Sequence, residues 1–124
     1  MTGPLRLVSR TEYRAQVAGE MKESALQARV EGLARELGYV TYHTFDSRRS
    51  QPGFPDLVLV SARRGRLLVA ELKTVRGRLS TAQTQWLAEF RGAGVEAHVW
   101  RPADLLDGTI LTVLTRVQGP GDRT

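Results

Sequence analysis

Two short apolar runs limit the fold of this chain more than any other feature. Leu57-Val58-Leu59-Val60 and Leu67-Leu68-Val69-Ala70 lie close together, with Arg63-Arg64-Gly65 between them. Each is the length of a strand, and neither approaches the roughly 20 apolar residues a membrane-spanning helix needs. Read as strands over Asp56–Ser61 and Arg66–Lys73, they form an antiparallel hairpin closed by the Arg-Arg-Gly turn. Runs this continuously apolar predict central strands covered on both faces. The chain must therefore supply helices for two sides of one sheet.

The flanking sequence supplies them. Leu26, Val30, Leu33 and Leu37 make one stripe on a helix predicted over Glu20–Leu37, and Gly38 is its stop. Val40–Phe45 is β-branched and aromatic, a strand, and Asp46–Pro55 reads as a loop. After the Arg76-Gly77-Arg78 connector, Ser80 and Gln83 form an S-x-x-Q capping box. The helix they open turns Gln83, Trp86, Leu87 and Phe90 inward and ends at Gly92 or Gly94. Val95–Trp100 is a fourth strand, closed by Pro102. Asp104–Val117 stays ambiguous: Ile110, Leu114 and Val117 suit a helix, whereas Thr109, Thr112, Val113 and Thr115 disfavour one. Residues 1–20 read as a partly helical N-terminal extension, 21–117 as the domain and 118–124 as a flexible tail. The order helix, three strands, helix, strand predicts an α/β sandwich around a small mixed sheet.

A length of 124 residues suffices for one domain without a staple. With no cysteine, a disulfide scaffold, a zinc ribbon and a thiol nucleophile are excluded. Met1–Arg10 shows no apolar signal region, so the cytoplasm is the expected compartment (the host cytoplasm for a phage-encoded chain), with no membrane partner. The net charge is +5, and 16 of the 18 basic residues are Arg. Arg forks onto phosphate oxygens, although a GC-rich coding sequence enriches Arg too. The distribution says more. Arg48–Arg78 holds eight basic residues and two acids, a net +6, while the rest of the chain sums to −1. The expected phosphate contacts are Arg48, Arg49, Arg63, Arg64, Arg76 and Arg78. His43 joins them because its strand leads into the Arg48-Arg49 loop; solvated loop charge is the alternative.

The two acids inside that basic field, Asp56 and Glu71, need a reason. In a hairpin the start of one strand lies beside the end of the next, so they are neighbours, and Lys73 projects from the same face as Glu71. Two adjacent carboxylates repel, and a divalent cation relieves that. Mg²⁺ takes one or two carboxylates plus waters and substrate oxygens. A nearby Lys can hold a phosphate or orient a water. These are the parts of metal-assisted phosphodiester hydrolysis. An ion pair between Glu71 and Lys73 is the plainer alternative for those two, and a capping role alone accounts for Gln83.

Pro55-Asp56 followed by Glu71-Leu72-Lys73 resembles the motif of PD-(D/E)XK nucleases. Gly53-Phe54-Pro55-Asp56-Leu57, Glu71-Leu72-Lys73-Thr74, Gly77-Arg78-Leu79-Ser80, Gln83 and Trp86-Leu87 together resemble one branch, the VRR-NUC (virus-type replication-repair nuclease) family, from about Glu23 to Pro102. The resemblance implies a restriction-endonuclease-like αβββαβ core and a DNA endonuclease dependent on Mg²⁺ or Mn²⁺, with no small-molecule cofactor. It implies Asp56, Glu71 and the Leu72 carbonyl as metal ligands and Lys73 as the catalytic lysine. It also implies an active-site Gln83, and a further acid on the first helix that Glu23 fits. Glu23 precedes Val30 by seven residues, about two turns, and is expected on the buried stripe, with Glu20 and Glu31 further off that line. Stand-alone relatives resemble homodimeric resolvases of four-way junctions, and 5′-phosphate products are implied. A non-catalytic nucleic-acid-binding module on the same fold is the rival expectation.

Overall fold

The computed structural model describes residues 7–45 and 51–118. Its centre is the apolar hairpin: β2 (Leu57–Ser61) and β3 (Arg66–Leu72) pair antiparallel, with Leu57 opposite Ala70 and Val58 opposite Val69. β1 (Val40–His43) adds antiparallel to β2, and β4 (Glu96–Trp100) adds parallel to β3, giving the order β1-β2-β3-β4. A parallel neighbour requires a crossover, and α3 (Thr81–Gly92) provides it.

The alternation of the strands sorts the core into two layers. Leu57, Leu59, Leu68, Ala70 and Leu72 pack with Leu26, Val30 and Ala34 of α2 (Glu23–Glu36) and with Ile110, Val113 and Leu114 of α5 (Thr109–Thr115). The four leucines are fully buried, which contributes roughly 1.5–3 kcal/mol each. On the other face Val69 and Ala97 meet Leu87 of α3, with Val58, Leu79, Phe90 and Val99 around them. The result is the expected sheet between helical layers.

Coverage is less even than the apolar runs suggest. On the α3 side Val60 and Leu67 are 41% and 49% exposed, and Val40 and Tyr42 of β1 more so. One helix is about 10 Å wide and covers about two strands spaced 4.8 Å apart, so a single α3 leaves part of this face open.

Two helical expectations change. The helix expected from Glu20 to Leu37 is broken: α1 (Arg10–Glu20) ends there, Met21 is extended, and α2 starts at Glu23. Gly19 lies in the last turn of α1, two residues before the break. The N-terminal segment is helical from Arg10, with Ser9 Oγ accepting from the Glu12 amide at 3.0 Å. α1 packs against α4 (Pro102–Leu106). The ambiguous 104–117 stretch folds as α4 and α5, parted at Gly108, whose φ of +86° is left-handed and suits glycine. Burial of Ile110, Val113 and Leu114 overrides the weak helix propensity of the threonines.

Candidate active site

The site forms where β2 begins and β3 ends. Continuing the ladder one step past Leu57–Ala70 sets Asp56 opposite Glu71, both on the α3 side. Asp56 Oδ2 accepts a hydrogen bond from the Leu72 amide at 2.8 Å, so the strand bearing Glu71 also fixes Asp56. Glu71 is only 2% exposed. Its Oε1 accepts from Gln83 Nε2 at 3.2 Å, and its buried Oε2 has no hydrogen-bond partner among the described residues.

Gln83 is used from both ends. Its Oε1 accepts from the Ser80 amide at 2.8 Å while its own amide donates to Ser80 Oγ at 3.1 Å, completing the capping box. A backbone N–H only donates, so the side-chain oxygen must face Ser80 and the NH₂ must face Glu71. Capping and site contact are therefore two uses of one amide.

Burial, reinforced by the Asp56 carboxyl and more weakly by Glu23, pushes Glu71 up to about 9; Lys73 opposes the shift. Glu23 is raised too, first by lost solvation and then by Asp56, with Lys73 again opposing. It therefore feels the site electrostatically. Its position corrects the expectation of burial: Glu23 is exposed at the first turn of α2. The helical angle matches Val30, but Glu23 sits a turn beyond Leu26, past the packed layer. The buried acid of α2 is Glu31, held by Gln27 at 2.9 Å and Arg35 at 2.8 Å. Among the described residues no three acidic or histidine side chains are gathered closely enough to form a metal cage. The core of the site is the Asp56–Glu71 pair.

Lys73 follows the strand end, half-buried, its amide donating to the Trp100 carbonyl at 3.0 Å. The turn after it is clamped by Arg101, whose Nη1 donates to the Thr74 and Gly77 carbonyls, each at 2.7 Å. Sequence reasoning missed this residue, because nothing local connects Arg101 to a turn 24 residues earlier. Arg76 and Arg78 stand exposed on this connector. On the other side, Gly53 lies so close to α3 that a Cβ would stand 2.5 Å from the Ala82 carbonyl carbon, and its φ is +89°. Trp86 Nε1 donates to the Pro52 carbonyl at 3.1 Å, and Phe54 meets Trp86 edge-on at 5.2 Å. These contacts seat the Pro55-Asp56 step against the helix.

The expected phosphate contacts divide. Arg63 and Arg64 belong to the hairpin turn, about 17 Å of strand from Asp56. The Arg63 guanidinium lies against Gly38, and Arg64 ties the Leu37 and Thr115 carbonyls at 2.9 and 2.7 Å. Both are corrected from the site to the opposite end, where Arg64 closes helix termini. Arg66 is buried, with Nη2 on both Glu96 oxygens at 2.5 and 2.6 Å and Nη1 directed at Tyr39 and the Val113 carbonyl. His43 pairs with Leu57 and so faces the α2 side, its ring 6.0 Å from Phe45. Arg48 and Arg49 lie outside the described residues.

Comparison with known proteins bears on the family and the fold. The sequence profile of the VRR-NUC domain matches residues 7–104. The chain is 46% identical over 52 residues to the Fanconi-associated nuclease 1 homolog of Caenorhabditis elegans and 42% identical over 52 residues to that of Caenorhabditis briggsae. Each match covers 42% of this chain but 6% of the relative, so the likeness concerns a small part of those proteins. A solved structure described as a VRR-NUC domain superposes with a TM-score of 0.60 at 23% identity, covering 72% of this chain and 94% of that one. The superposition shows the fold, a four-stranded mixed sheet of the PD-(D/E)XK type.

Proposed function

Since the chain belongs to the VRR-NUC family, we propose that it is a divalent-metal-dependent endonuclease that hydrolyses DNA phosphodiester bonds with an activated water. One observation carries the reading: Glu71 is buried, pushed up to about 9 and left with an Oε2 unpartnered among the described residues, directly across from Asp56. Buried polar atoms in native proteins rarely lack a partner. A hard cation between the two carboxyls supplies that partner and lets both ionise.

Asp56 and Glu71 would hold Mg²⁺ or Mn²⁺, with the Leu72 carbonyl beside them, and Glu23, not gathered with the pair, would face the ion from α2 through a water. When bound, the ion supplies Lewis acidity to the phosphoryl oxygen and makes its water acidic enough to act as nucleophile. The protein's own groups do the rest. Gln83 fixes the Glu71 carboxyl, and the Leu72 amide fixes Asp56. Lys73 places a positive charge where the phosphate and the attacking water meet, and steadies charge as the bond to the leaving oxygen breaks. Arg76 and Arg78 contact flanking phosphates. The products carry a 5′-phosphate.

Branched or four-way-junction DNA is the proposed substrate form, in replication, recombination or repair, with a homodimer supplying two sites. Two family relatives are nucleases by name, which supports the first part. None of the described helices is long and apolar enough to cross a membrane; the cytoplasm is the proposed compartment.

The test is cleavage of plasmid and branched DNA with Mg²⁺ or Mn²⁺ by wild type, Glu71→Ala and Lys73→Ala. Loss of cleavage in both variants, with folding intact, is the expected result. Unchanged cleavage in both overturns the site. Salt-sensitive binding without cleavage by any form would instead fit a non-catalytic binding module. A monomeric mass in solution would overturn the homodimer.

A further inference from the structure

We propose that the cavity walled by Tyr42, Phe54 and Trp86 is a stacking subsite for an unpaired nucleobase next to the scissile phosphate. This rests on the nuclease reading above. The cavity measures about 280 Å³ and is lined by Tyr42, Thr44, Gln51, Phe54 and Trp86. Among the described residues no charged side chain lines it; its walls are three aromatic side chains, and its polar groups include the Gln51 amide and the hydroxyls of Thr44 and Tyr42. That combination suits a flat, uncharged ring with hydrogen-bonding edges.

The placement ties it to the site. Tyr42 pairs with Val58, two residues along β2 from Asp56, about 7 Å and on the same sheet face. Phe54 precedes Asp56 by two residues, and Trp86 follows Gln83 by one turn of α3. The cavity thus lies about one nucleotide step from the carboxyl pair. Two of its walls are preorganised. The Trp86 indole is fixed by its bond to the Pro52 carbonyl and by Phe54 and Phe90, whose rings lie 5.2 and 5.9 Å away. Thr44 Oγ1 donates to the Pro55 carbonyl and keeps its lone pairs for an incoming N–H. Tyr42, by contrast, is 62% exposed on the outer strand. An aromatic ring held against solvent beside a DNA-cleaving site is accounted for by a base that covers it.

The experiment measures binding of oligothymidylate and of a duplex of equal length in EDTA, with wild type, Tyr42→Ala and Tyr42→Phe. Tyr42→Ala is expected to weaken oligothymidylate binding by about tenfold and to leave duplex binding unchanged, while Tyr42→Phe keeps both. Trp100 is buried, so quenching of tryptophan emission by oligothymidylate reports Trp86, and wild type should show it. Equal loss on both ligands, no loss on either, or no quenching overturns the subsite and leaves the cavity to packing or a protein partner. Parallel cleavage assays with Mn²⁺ separate the two readings. If wild type cleaves DNA but Tyr42→Ala shows no selective loss, only the subsite falls. If wild type cleaves no DNA, the nuclease reading falls and takes the subsite with it.

Discussion

Replacing Glu71 by Gln should stabilise the metal-free protein while abolishing its activity. In the unfolded chain Glu71 has a value of 4.5, and in the fold burial and then Asp56 push it up to about 9. A raised value means that the contribution of Glu71 to stability is complete below pH 4.5 and is lost as the pH rises toward 9. At pH 7 the folding chain must take up a proton it would otherwise release, at 1.36 kcal/mol per pH unit, or about 3 kcal/mol. Gln carries no such cost. Its carbonyl still accepts from Gln83, and its NH₂ faces Asp56 across the ladder. For a chain of this size about 3 kcal/mol raises Tm by roughly 10 °C. The assay is thermal unfolding followed by circular dichroism in EDTA, from pH 4.5 to 8. The gain should be absent at pH 4.5 and grow with pH. Saturating Mn²⁺ should then close the gap by stabilising wild type alone, about 2.7 kcal/mol at a hundredfold excess over Kd. A Glu71→Gln protein that melts at or below wild type at pH 7, or a gain independent of pH, refutes the reasoning.

Three further outcomes follow from the same geometry. Gln83→Glu keeps an acceptor for the Ser80 amide but cannot donate to Glu71, so cleavage should fall while the Tm of α3-dependent unfolding stays near wild type; equal activity would deny the contact a role. Gly53→Ala forces a Cβ against Ala82 at a left-handed backbone position, and should cost about 1–3 kcal/mol in urea unfolding together with activity, because Asp56 moves with the loop. Arg66→Met strips Glu96 of its buried partner; partial burial opposes ionisation of Glu96, yet His98 and Arg66 hold it down to about 2. The expected loss is about 2–4 kcal/mol at pH 7, reduced because Glu96 keeps one-third of its side chain in solvent. Since the Glu96 value is lowered, its contribution is present above pH 4.5 and fades as pH drops toward 2, so the variant and wild type should converge in acid.

What could be read from the residues alone is uneven for physical reasons. The hairpin, the neighbouring of Asp56 and Glu71 and the Ser80–Gln83 box rest on local period and short-range bonding, and all three stand as expected. The break between α1 and α2 follows Gly19 by two residues, a weak local mark, and Met21 at the break is partly buried against the core. Charge was the least readable signal. Arg63, Arg64 and Arg66 count toward the same +6 as Arg76 and Arg78, yet their partners are Gly38, Leu37, Thr115 and Glu96, far along the chain. A local charge sum cannot separate an arginine closing a helix from one awaiting a phosphate.

The length of β2 has a wider consequence. Five residues separate the carboxyl pair from the turn, so the groups that ionise for chemistry and Arg66, which pairs with Ser61 beside the turn, occupy opposite poles of the hairpin. Changes at one pole act nearly independently of the other. A lineage on this scaffold is therefore free to alter its loops, recruit new partners or lose its acids altogether without melting the sheet that carries them.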